Sequence, residues 1–443
     1  MKSVFLKKFL LYCVLFLNPL VILWLWYTNE QLRFEDYNTN IFMEAGRIAG
    51  LLAVYCALFQ LILIGRVKWI ESVFGLDRLT RIHKWNGYSL ALLLVAHPVF
   101  LSIGYGQRDF ISFSEQFTEF LSWEGVAAAA GALALFVAVI MLSITVVKRK
   151  MNYEIWYYIH LTTYCAILLA FEHQLETGSD FTSNTLFKNY WYALYGFVFL
   201  NLIFFRFSRP LYHSARHRFK VDKVVRETND VVSVYITGRN IDRFCFEPGQ
   251  FVIVRFMSKK CWIQAHPFSL SCEPNGNFVR LTIKRAGDFT AQVSSINPGT
   301  SVIIDGPHGI FTLRRVIKEK TLLIAGGIGI TPLRAMIPQL INRKKDTILL
   351  YANRQHKDAA LTEELASFTK NGHFKTHFIM SSDTSWTGEK GHIDRDKILR
   401  LAPDAAERDV YLCGPPGMMT ATRKALLQIG LKPAQIHYEN FSF

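Results

Sequence analysis

Four histidines stand inside long apolar stretches of this 443-residue sequence. His83 and His97 bound the segment HKWNGYSLALLLVAH, and His160 and His173 lie in a second apolar segment. An ionisable side chain within a membrane span is rare and usually functional. Because imidazole is an axial ligand of haem iron, histidines paired at two depths predict two b-type haem sites, His83 with His160 and His97 with His173.

The spacing of the histidines places both side chains on one helix face in the first segment, but not in the second. His97 follows His83 by fourteen residues, which on an ideal helix is a rise of about 21 Å and an angular offset of roughly 40°. His173 follows His160 by thirteen residues, an offset of about 140°. Ligation by both pairs therefore requires the second helix to distort, or to end, near Phe171–His173. The alternative interpretation is four structural or interfacial histidines.

Six apolar stretches are long enough to cross a membrane, since a span needs about twenty mostly apolar residues. They lie at 9–27, 46–65, 83–104, 126–147, 155–173 and 190–208. Basic and acidic connections alternate between them, which places the N-terminus and everything after the sixth span in the cytoplasm. The net charge of +15 is therefore interpreted as the cytoplasmic side of a membrane protein and not as a nucleic-acid-binding surface.

After residue 209 the pattern changes to short strands and turns. The strands FKVDKVV, VVSVYITG, QFVIVRF and FVRLTIKR predict a small antiparallel β-barrel. TLLIA then runs into GGIGITPLRAMI, and TILLYA and DVYLCG follow, which predicts a parallel α/β sheet with a phosphate-binding turn. We expect domains over 1–209, 210–315 and 316–443. In the basic connector, His213 and His217 are interpreted as surface residues.

Short motifs occur in a fixed order through the second half: HPFS, RAGDFT, GPHG, CGPPGMM and a YENFSF ending. With the four histidines they resemble the NADPH oxidase / ferric reductase transmembrane family, of the compact bacterial type, over nearly the whole chain. The soluble half resembles the ferredoxin–NADP reductase superfamily. The resemblance implies a membrane all-α six-helix haem-binding bundle, an FAD-binding β-barrel and an α/β NAD(P)-binding domain. It implies FAD, two haem b groups and NADPH or NADH in a bacterial inner membrane.

The resemblance also assigns site residues. Contacts to FAD are expected from Gln250, Phe251, His266, Pro267, Phe268, Ser269, Gly287 and Thr290. Contacts to the nicotinamide dinucleotide are expected from Gly326, Gly327, Gly329, Thr331, Arg354, Cys413, Gly414 and Pro415. Phe441 is expected to stack on the flavin, with Phe443 as a rival because two residues follow the ENF ending. A guanidinium at Arg354 suits the 2′-phosphate of NADPH; a solvated loop charge is the alternative, so NADH stays open.

The implied activity carries electrons from cytoplasmic NAD(P)H through FAD and both haems to an external acceptor. Arg47, at the outer end of the second span, is expected to stabilise superoxide formed from O2, or else to be an interfacial anchor. Some superoxide-forming relatives carry a further histidine where this sequence has Leu101, which keeps a ferric chelate open as acceptor. An electron-transfer subunit for a periplasmic partner and an anchored flavin reductase also stay open. No activating-partner motif is evident, so activity without an obligatory activating protein is expected.

Overall fold

The computed structural model describes residues 2–31, 40–149, 153–176, 180–181, 184–259 and 261–439. The chain divides into two compact units. One combines Met1–Phe74 with Arg78–Arg206, and the other combines Gly75–Asp77 with Phe207–Phe443. The first unit consists of apolar helices, and the second contains all the strands named below.

The helices of the first unit follow the predicted spans. They are α1 (Lys2–Gln31), α2 (Ile41–Ile64), α3 (Lys68–Phe74), α4 (Leu76–Asp109), α5 (Phe113–Phe120), α6 (Val126–Arg149), α7 (Tyr153–Leu161), α8 (Thr163–Glu176) and α9 (Thr185–Leu202). Within the described part of the chain, five stretches are long and apolar enough to cross a membrane: Leu11–Asn29, Ile41–Ile64, Leu76–Asp109, Val126–Ile144 and Thr185–His217. The remaining predicted span, 155–173, is divided between α7 and α8.

The break between α7 and α8 lies at Thr162. The hydroxyls of Thr162 and Thr163 donate to the carbonyls of Ile159 at 2.7 Å and His160 at 2.8 Å. Such bonds compete with the helical ladder and favour a bend. The distortion that the histidine register requires is therefore present. Its predicted position near Phe171–His173 is wrong, because α8 continues through this segment.

Aromatic side chains of α9 fix α8 in the core of the first unit. Trp191 is fully buried. Its indole Nε1 donates to the amide oxygen of Gln174 at 3.0 Å, and the hydroxyl of Tyr195 donates to the same oxygen at 2.9 Å. Gln174 directly follows His173, so this hydrogen-bonded anchor holds the end of α8 that carries the histidine.

A π-helical turn, Ile203–Ser208, contains the boundary between the units, since Phe207 and Ser208 already belong to the second unit. It is followed by α10 (Arg209–His217). The next elements are β1 (Lys220–Arg226), β2 (Val231–Thr237), β3 (Phe251–Phe256), β4 (His266–Ser269), β5 (Val279–Lys284), α11 (Asp288–Val293) and β6 (Val302–His308). The strands form two antiparallel sheets, β1-β2-β5 and β4-β3-β6. Val234, Val254 and Leu281 belong to one buried core that both sheets enclose. The antiparallel strands are as predicted, and closure of the sheets into a barrel stays a prediction.

The interpretation of His217 as a surface residue is wrong. Only 1 % of His217 is exposed, and its ring centre lies 5.1 Å from that of Phe219. Its Nδ1 lies 3.1 Å from the carbonyl oxygen of Arg239. The imidazole is therefore a core side chain that joins α10 to the first antiparallel sheet, while His213 is half-buried.

The rest of the second unit is the predicted parallel α/β sheet. Its elements are β7 (Lys320–Gly326), α12 (Ile330–Asn342), β8 (Asp346–Asn353), α13 (Thr362–Thr369), β9 (Phe374–Met380), β10 (Glu389–Lys390), α14 (Arg395–Leu401), β11 (Asp409–Cys413), α15 (Pro416–Ile429) and β12 (Ile436–Tyr438). The order is β10-β9-β8-β7-β11-β12, with every pair parallel. Leu322 and Leu323 enter different cores because successive side chains of a strand point to opposite faces. The order reverses between β7 and β11, where sheets of this kind bind ligands at the carboxyl ends of the strands.

Candidate functional site

The structure brings the two predicted histidine pairs together. The ring centres of His83 and His160 are 6.0 Å apart, and those of His97 and His173 are 6.3 Å apart. His83 and His97 lie on α4, while His160 and His173 lie in the last turns of α7 and α8. The break at Thr162 therefore gives a register that an uninterrupted helix would not give.

Each gap between the rings has the length that an iron bridge requires. Two in-line metal–nitrogen bonds of about 2 Å each, with half the width of each ring, span roughly 6 Å. Among the residues that the structure describes, no group of three or more His, Cys, Asp or Glu side chains could hold a metal ion. A pair of imidazoles at this separation could serve as the two axial ligands of a haem, whose porphyrin would supply the other donors to the iron.

His97 is held closely by α2. Its Nδ1 lies 2.8 Å from the carbonyl oxygen of Gly46. Because a carbonyl only accepts, Nδ1 carries the proton, and Nε2 keeps the lone pair that binds a metal. A Cβ atom on Gly50 would lie 2.6 Å from the same ring, and one on Gly46 would lie 2.8 Å from Leu101. Glycines at these two positions let α2 approach α4 closely, and Leu101 of α4 lies in this contact.

His160 has a weaker support on α6. Its Nδ1 lies 3.4 Å from Oγ of Ser143. The Ser143 hydroxyl donates its proton to the carbonyl of Val139 at 2.7 Å and accepts from Nε1 of Trp156 at 3.2 Å. Ser143 is therefore an acceptor toward His160, which again places the proton on Nδ1 and leaves Nε2 for a metal.

Arg47 belongs to an ion-pair network beside the His97–His173 pair. Its Nη1 lies 3.0 Å from Glu44, its Nε lies 3.3 Å from Oδ2 of Asp180, and its Nη2 also contacts Asp180. Asn29 donates to Oδ1 of Asp180 at 3.3 Å. Arg47, Glu44 and Asp180 together carry one excess negative formal charge. The guanidinium therefore pairs with two carboxylates, and its expected role toward superoxide stays a prediction.

The predicted flavin segment HPFS forms β4. It pairs with β3, where Phe251 lies opposite Ser269. The four side chains from His266 to Ser269 are half-buried, so each keeps surface that a ligand can cover. Phe289 of α11 lies beside this strand, with its ring centre 4.1 Å from that of His266. A partly open strand of mixed polarity next to an aromatic ring fits a flat isoalloxazine, which has apolar faces and polar edges.

Two turns near this strand are closed by side chains. Gln250 accepts from the amide of Glu247 at 2.8 Å and donates to the carbonyl of Gly309 at 3.2 Å. The hydroxyl of Thr290 accepts from the amide of Gly287 at 3.0 Å. A pyrophosphate at this turn would therefore compete with Thr290 for the amide that the sequence assigned to the phosphate.

The Gly-rich turn and the CGPP segment meet at the switch point between β7 and β11. A Cβ on Gly329 would lie 2.3 Å from the carbonyl oxygen of Cys413, and one on Gly414 would lie 3.1 Å from the backbone of Gly326. These three glycines permit close backbone packing. Gly327 is different, because it has a φ of +51° and nothing lies within 4 Å of its Cβ position. Its surface is open to a phosphate.

The other predicted dinucleotide contacts surround this switch point. Thr331 is buried and donates to the carbonyl of Ile328 at 3.0 Å. Arg354 directly follows β8 and is exposed, and Pro415 directly precedes α15. Cys413 ends β11, and burial raises the pKa of its thiol above the ordinary range. The Cys413 thiol is therefore neutral and not activated as a nucleophile, and its contact with the nicotinamide stays a prediction.

The predicted flavin-stacking residue, Phe441, and its rival Phe443 lie outside the described residues. The last described residue, Glu439, is 3 % exposed. A Cβ on Gly309 would lie 3.1 Å from Oε2 of Glu439. The chain therefore approaches its C-terminus beside the turn that Gln250 supports.

Sequence reasoning missed the residues that support the histidines. Gly46 and Gly50 had a readable signal, since small residues four apart bring membrane helices into close contact. Ser143 and Trp156 had none, because a single hydroxyl or indole in an apolar helix does not indicate its partner.

Family profiles match three successive parts of the chain. "Ferric reductase like transmembrane component" matches residues 49–171, "FAD-binding domain" matches 216–312, and "Oxidoreductase NAD-binding domain" matches 323–424. The first range ends at Phe171, inside α8, and contains His83, His97 and His160. His173 lies two residues beyond it.

Individual relatives resemble the chain over about half its length. The glycine betaine monooxygenase reductase subunit of Chromohalobacter salexigens is 27 % identical over 52 % of this chain and 65 % of its own length. The flavohemoprotein of Chromobacterium violaceum is 31 % identical over 50 % of this chain and 60 % of its own length. The solved ferredoxin reductase in carbazole 1,9a-dioxygenase is 26 % identical, covers 50 % of this chain and 68 % of that one, and has a TM-score of 0.46. The chain thus spans less than two thirds of these two curated relatives.

Proposed function

Since this chain belongs to the NADPH oxidase / ferric reductase transmembrane family, with a C-terminal half like ferredoxin–NADP reductase, we propose that it carries electrons from NAD(P)H through FAD and two b-type haems to an acceptor across a bacterial inner membrane. The three matched domains support NAD(P)H-dependent electron transfer at a membrane. The proposed orientation has the N-terminus and the dehydrogenase half in the cytoplasm, with domains over 1–209, 210–315 and 316–443.

The observation that carries the proposal is the pair of iron-sized gaps. Two histidine pairs, 6.0 Å and 6.3 Å between ring centres, lie at two depths along α4. When bound, FAD accepts two electrons from the nicotinamide and haem takes them singly. His83 and His160 would hold the inner iron, and His97 and His173 the outer one, each through Nε2.

The dehydrogenase residues bind and orient. The half-buried β4 segment and Phe289 would cover the flavin ring, and the C-terminal Phe441 would stack on it. Gly327 would expose its backbone to the dinucleotide pyrophosphate, and the exposed guanidinium of Arg354 would bind the 2′-phosphate of NADPH. The neutral thiol of Cys413 would contact the nicotinamide without reacting.

We propose O2 as the acceptor, giving superoxide. Arg47 lies next to Gly46, whose carbonyl holds His97, so its charge is close to the outer pair. One observation favours a second candidate, a ferric-chelate reductase: Glu44 and Asp180 already neutralise Arg47. Because both carboxylates pair with Arg47, its charge is less available to stabilise a superoxide anion.

The test is an optical spectrum of detergent-purified protein before and after NADPH. A reduced b-type haem spectrum that appears on NADPH addition is expected, without any added protein. Cytochrome c reduction that superoxide dismutase abolishes would support O2, and dismutase-insensitive reduction of a ferric chelate would support the second candidate. Haem-free protein from haem-supplemented cells would leave an anchored flavin reductase. Activity only with a periplasmic protein would indicate an electron-transfer subunit.

A further inference from the structure

A partly buried charged cluster, in which the Glu364 side chain is 33 % exposed, joins the antiparallel part of the second unit to its parallel sheet. Arg280 lies on β5, Arg334 on α12 and Glu364 on α13. The guanidinium of Arg280 contacts both carboxylate oxygens of Glu364, through Nη1 and, at 3.1 Å, through Nη2. Nε of Arg334 reaches the same carboxylate at 2.5 Å. Only 3 % of the Arg280 side chain and 14 % of the Arg334 side chain are exposed.

The cluster connects the two segments that carry the predicted cofactor contacts. Nη2 of Arg280 also donates to the carbonyl of Ser271 at 2.6 Å, two residues after Ser269 in the flavin strand. Arg334 lies on the helix that begins directly after Gly329 of the Gly-rich turn. One carboxylate therefore links the flavin strand to the dinucleotide helix.

The charge of Glu364 is required for this link. Burial would raise the pKa of Glu364, but the hydrogen bonds and charges of Arg280 and Arg334 outweigh burial and lower it. The carboxylate is therefore ionised, and it is what holds two like charges together. An isosteric neutral amide would leave the two guanidiniums to repel each other.

We propose that Glu364 is a positioning residue for hydride transfer, whose carboxylate clasps Arg280 and Arg334 and so sets the separation between nicotinamide and flavin. In this step the C4–H bond of NAD(P)H breaks with its electron pair and an N–H bond forms on the flavin. The nicotinamide is oxidised, and the flavin is reduced and takes up a proton. Reacting atoms must approach to about 3–3.5 Å, and a shift of about 1 Å costs up to about a hundredfold in rate. The proposal rests on the FAD and NAD(P)H part of the proposed function and is independent of the haems.

The test compares full-length wild type, Glu364→Gln, Glu364→Asp and the control Glu363→Gln, whose side chain is at the neighbouring position of the same helix. The measured reaction is ferricyanide reduction with NADPH carrying hydrogen or deuterium at the transferred position. For Glu364→Gln we expect kcat to fall about tenfold, the KM for NADPH to change by less than about twofold, and the isotope effect to rise, at unchanged FAD content. Glu364→Asp should recover part of kcat, and Glu363→Gln should match wild type.

Two results would overturn the proposal. One is a Glu364→Gln protein whose activity falls only in proportion to its FAD content and whose isotope effect equals that of wild type. A purely structural role for Glu364 would give this result. The other is wild-type kinetics. Should Glu364→Gln not fold, the same readouts apply to Glu364→Asp, whose shorter reach must raise the isotope effect. A wild-type protein without NADPH–ferricyanide activity would instead refute the dehydrogenase function itself.

Discussion

The two histidine pairs have nearly the same ring separation but different support. His97 is held by a main-chain carbonyl at 2.8 Å and by a glycine that admits its ring. His160 has a hydroxyl at 3.4 Å, and Nδ1 of His83 makes no hydrogen bond within the described part of the chain. The two pairs therefore share the distance between their rings, but they differ in how firmly neighbouring groups hold each ring. The outer site is the more closely constrained of the two.

The largest expected effect comes from removing a ligand. His97→Ala and His160→Ala should each lower the haem content by about half, because under the proposed function each deletes one axial ligand of a different haem. Haem per protein, measured as the pyridine haemochrome, checks this. His392→Ala, an exposed residue of the second unit, is the control. Full haem content in both ligand variants would refute axial ligation by these pairs.

A smaller and one-sided effect is expected from Gly50→Ala. The new methyl group would lie 2.6 Å from the His97 ring, and overpacking of this kind costs about 1–3 kcal/mol. We expect the outer haem to be lost or perturbed while the inner one is retained, as seen by low-temperature electron paramagnetic resonance. Gly131→Ala on α6 is the matched control, since nothing lies within 4 Å of its Cβ position. Equal perturbation of both haems would remove the contrast between the sites.

Ser143→Ala should act only on the inner site. It removes the acceptor for Nδ1–H of His160 and so makes the imidazole a poorer donor to iron. A weak hydrogen bond contributes about 0.5 kcal/mol, which corresponds to an upward shift of roughly 20 mV in the inner haem potential. A spectroelectrochemical titration resolves the two potentials. A shift in the outer potential alone would contradict the assignment of Ser143.

A change in the stability of the fold, with no change at either histidine pair, is expected in the second unit. Burial would raise the pKa of Asp404, but hydrogen bonds from Arg408 and Lys320 outweigh it and lower the pKa to about 2. Because the folded-state pKa is depressed, this carboxylate stabilises the fold above about pH 4, and the contribution is lost as pH falls toward 2. Asp404→Asn should cost about 1 kcal/mol at neutral pH after allowance for solvent screening. Thermal unfolding measured against pH checks this, and both haem spectra should stay unchanged.

The sequence predicted the elements, and which histidines lie together, because apolar length and residue spacing are local signals. Apolar length located the spans, and the alternation of strands and Gly-rich turns located the parallel sheet. The predicted distortion near Phe171–His173 missed the actual break at Thr162, because a threonine hydroxyl bonds back to the helix only in some contexts. The pairing of Arg47 with Asp180 and the clasp at Glu364 were out of reach, since each joins residues far apart in the chain. Spacing along one helix does not report such partners.

The interlocked glycines at the switch point change how sequence variation in related chains should be interpreted. A Cβ on Gly329 or Gly414 would press on the backbone of the neighbouring strand end, and one on Gly326 would meet the side chains of Pro415 and Met418, so invariance there reports folding, whether or not a dinucleotide binds. Gly327 has no atom within 4 Å of its Cβ position, but its φ of +51° still favours glycine. A homologue that has replaced Gly327 by asparagine, which tolerates a left-handed φ, is therefore the informative natural experiment: its loss or retention of dinucleotide binding reveals what that open backbone position was selected for.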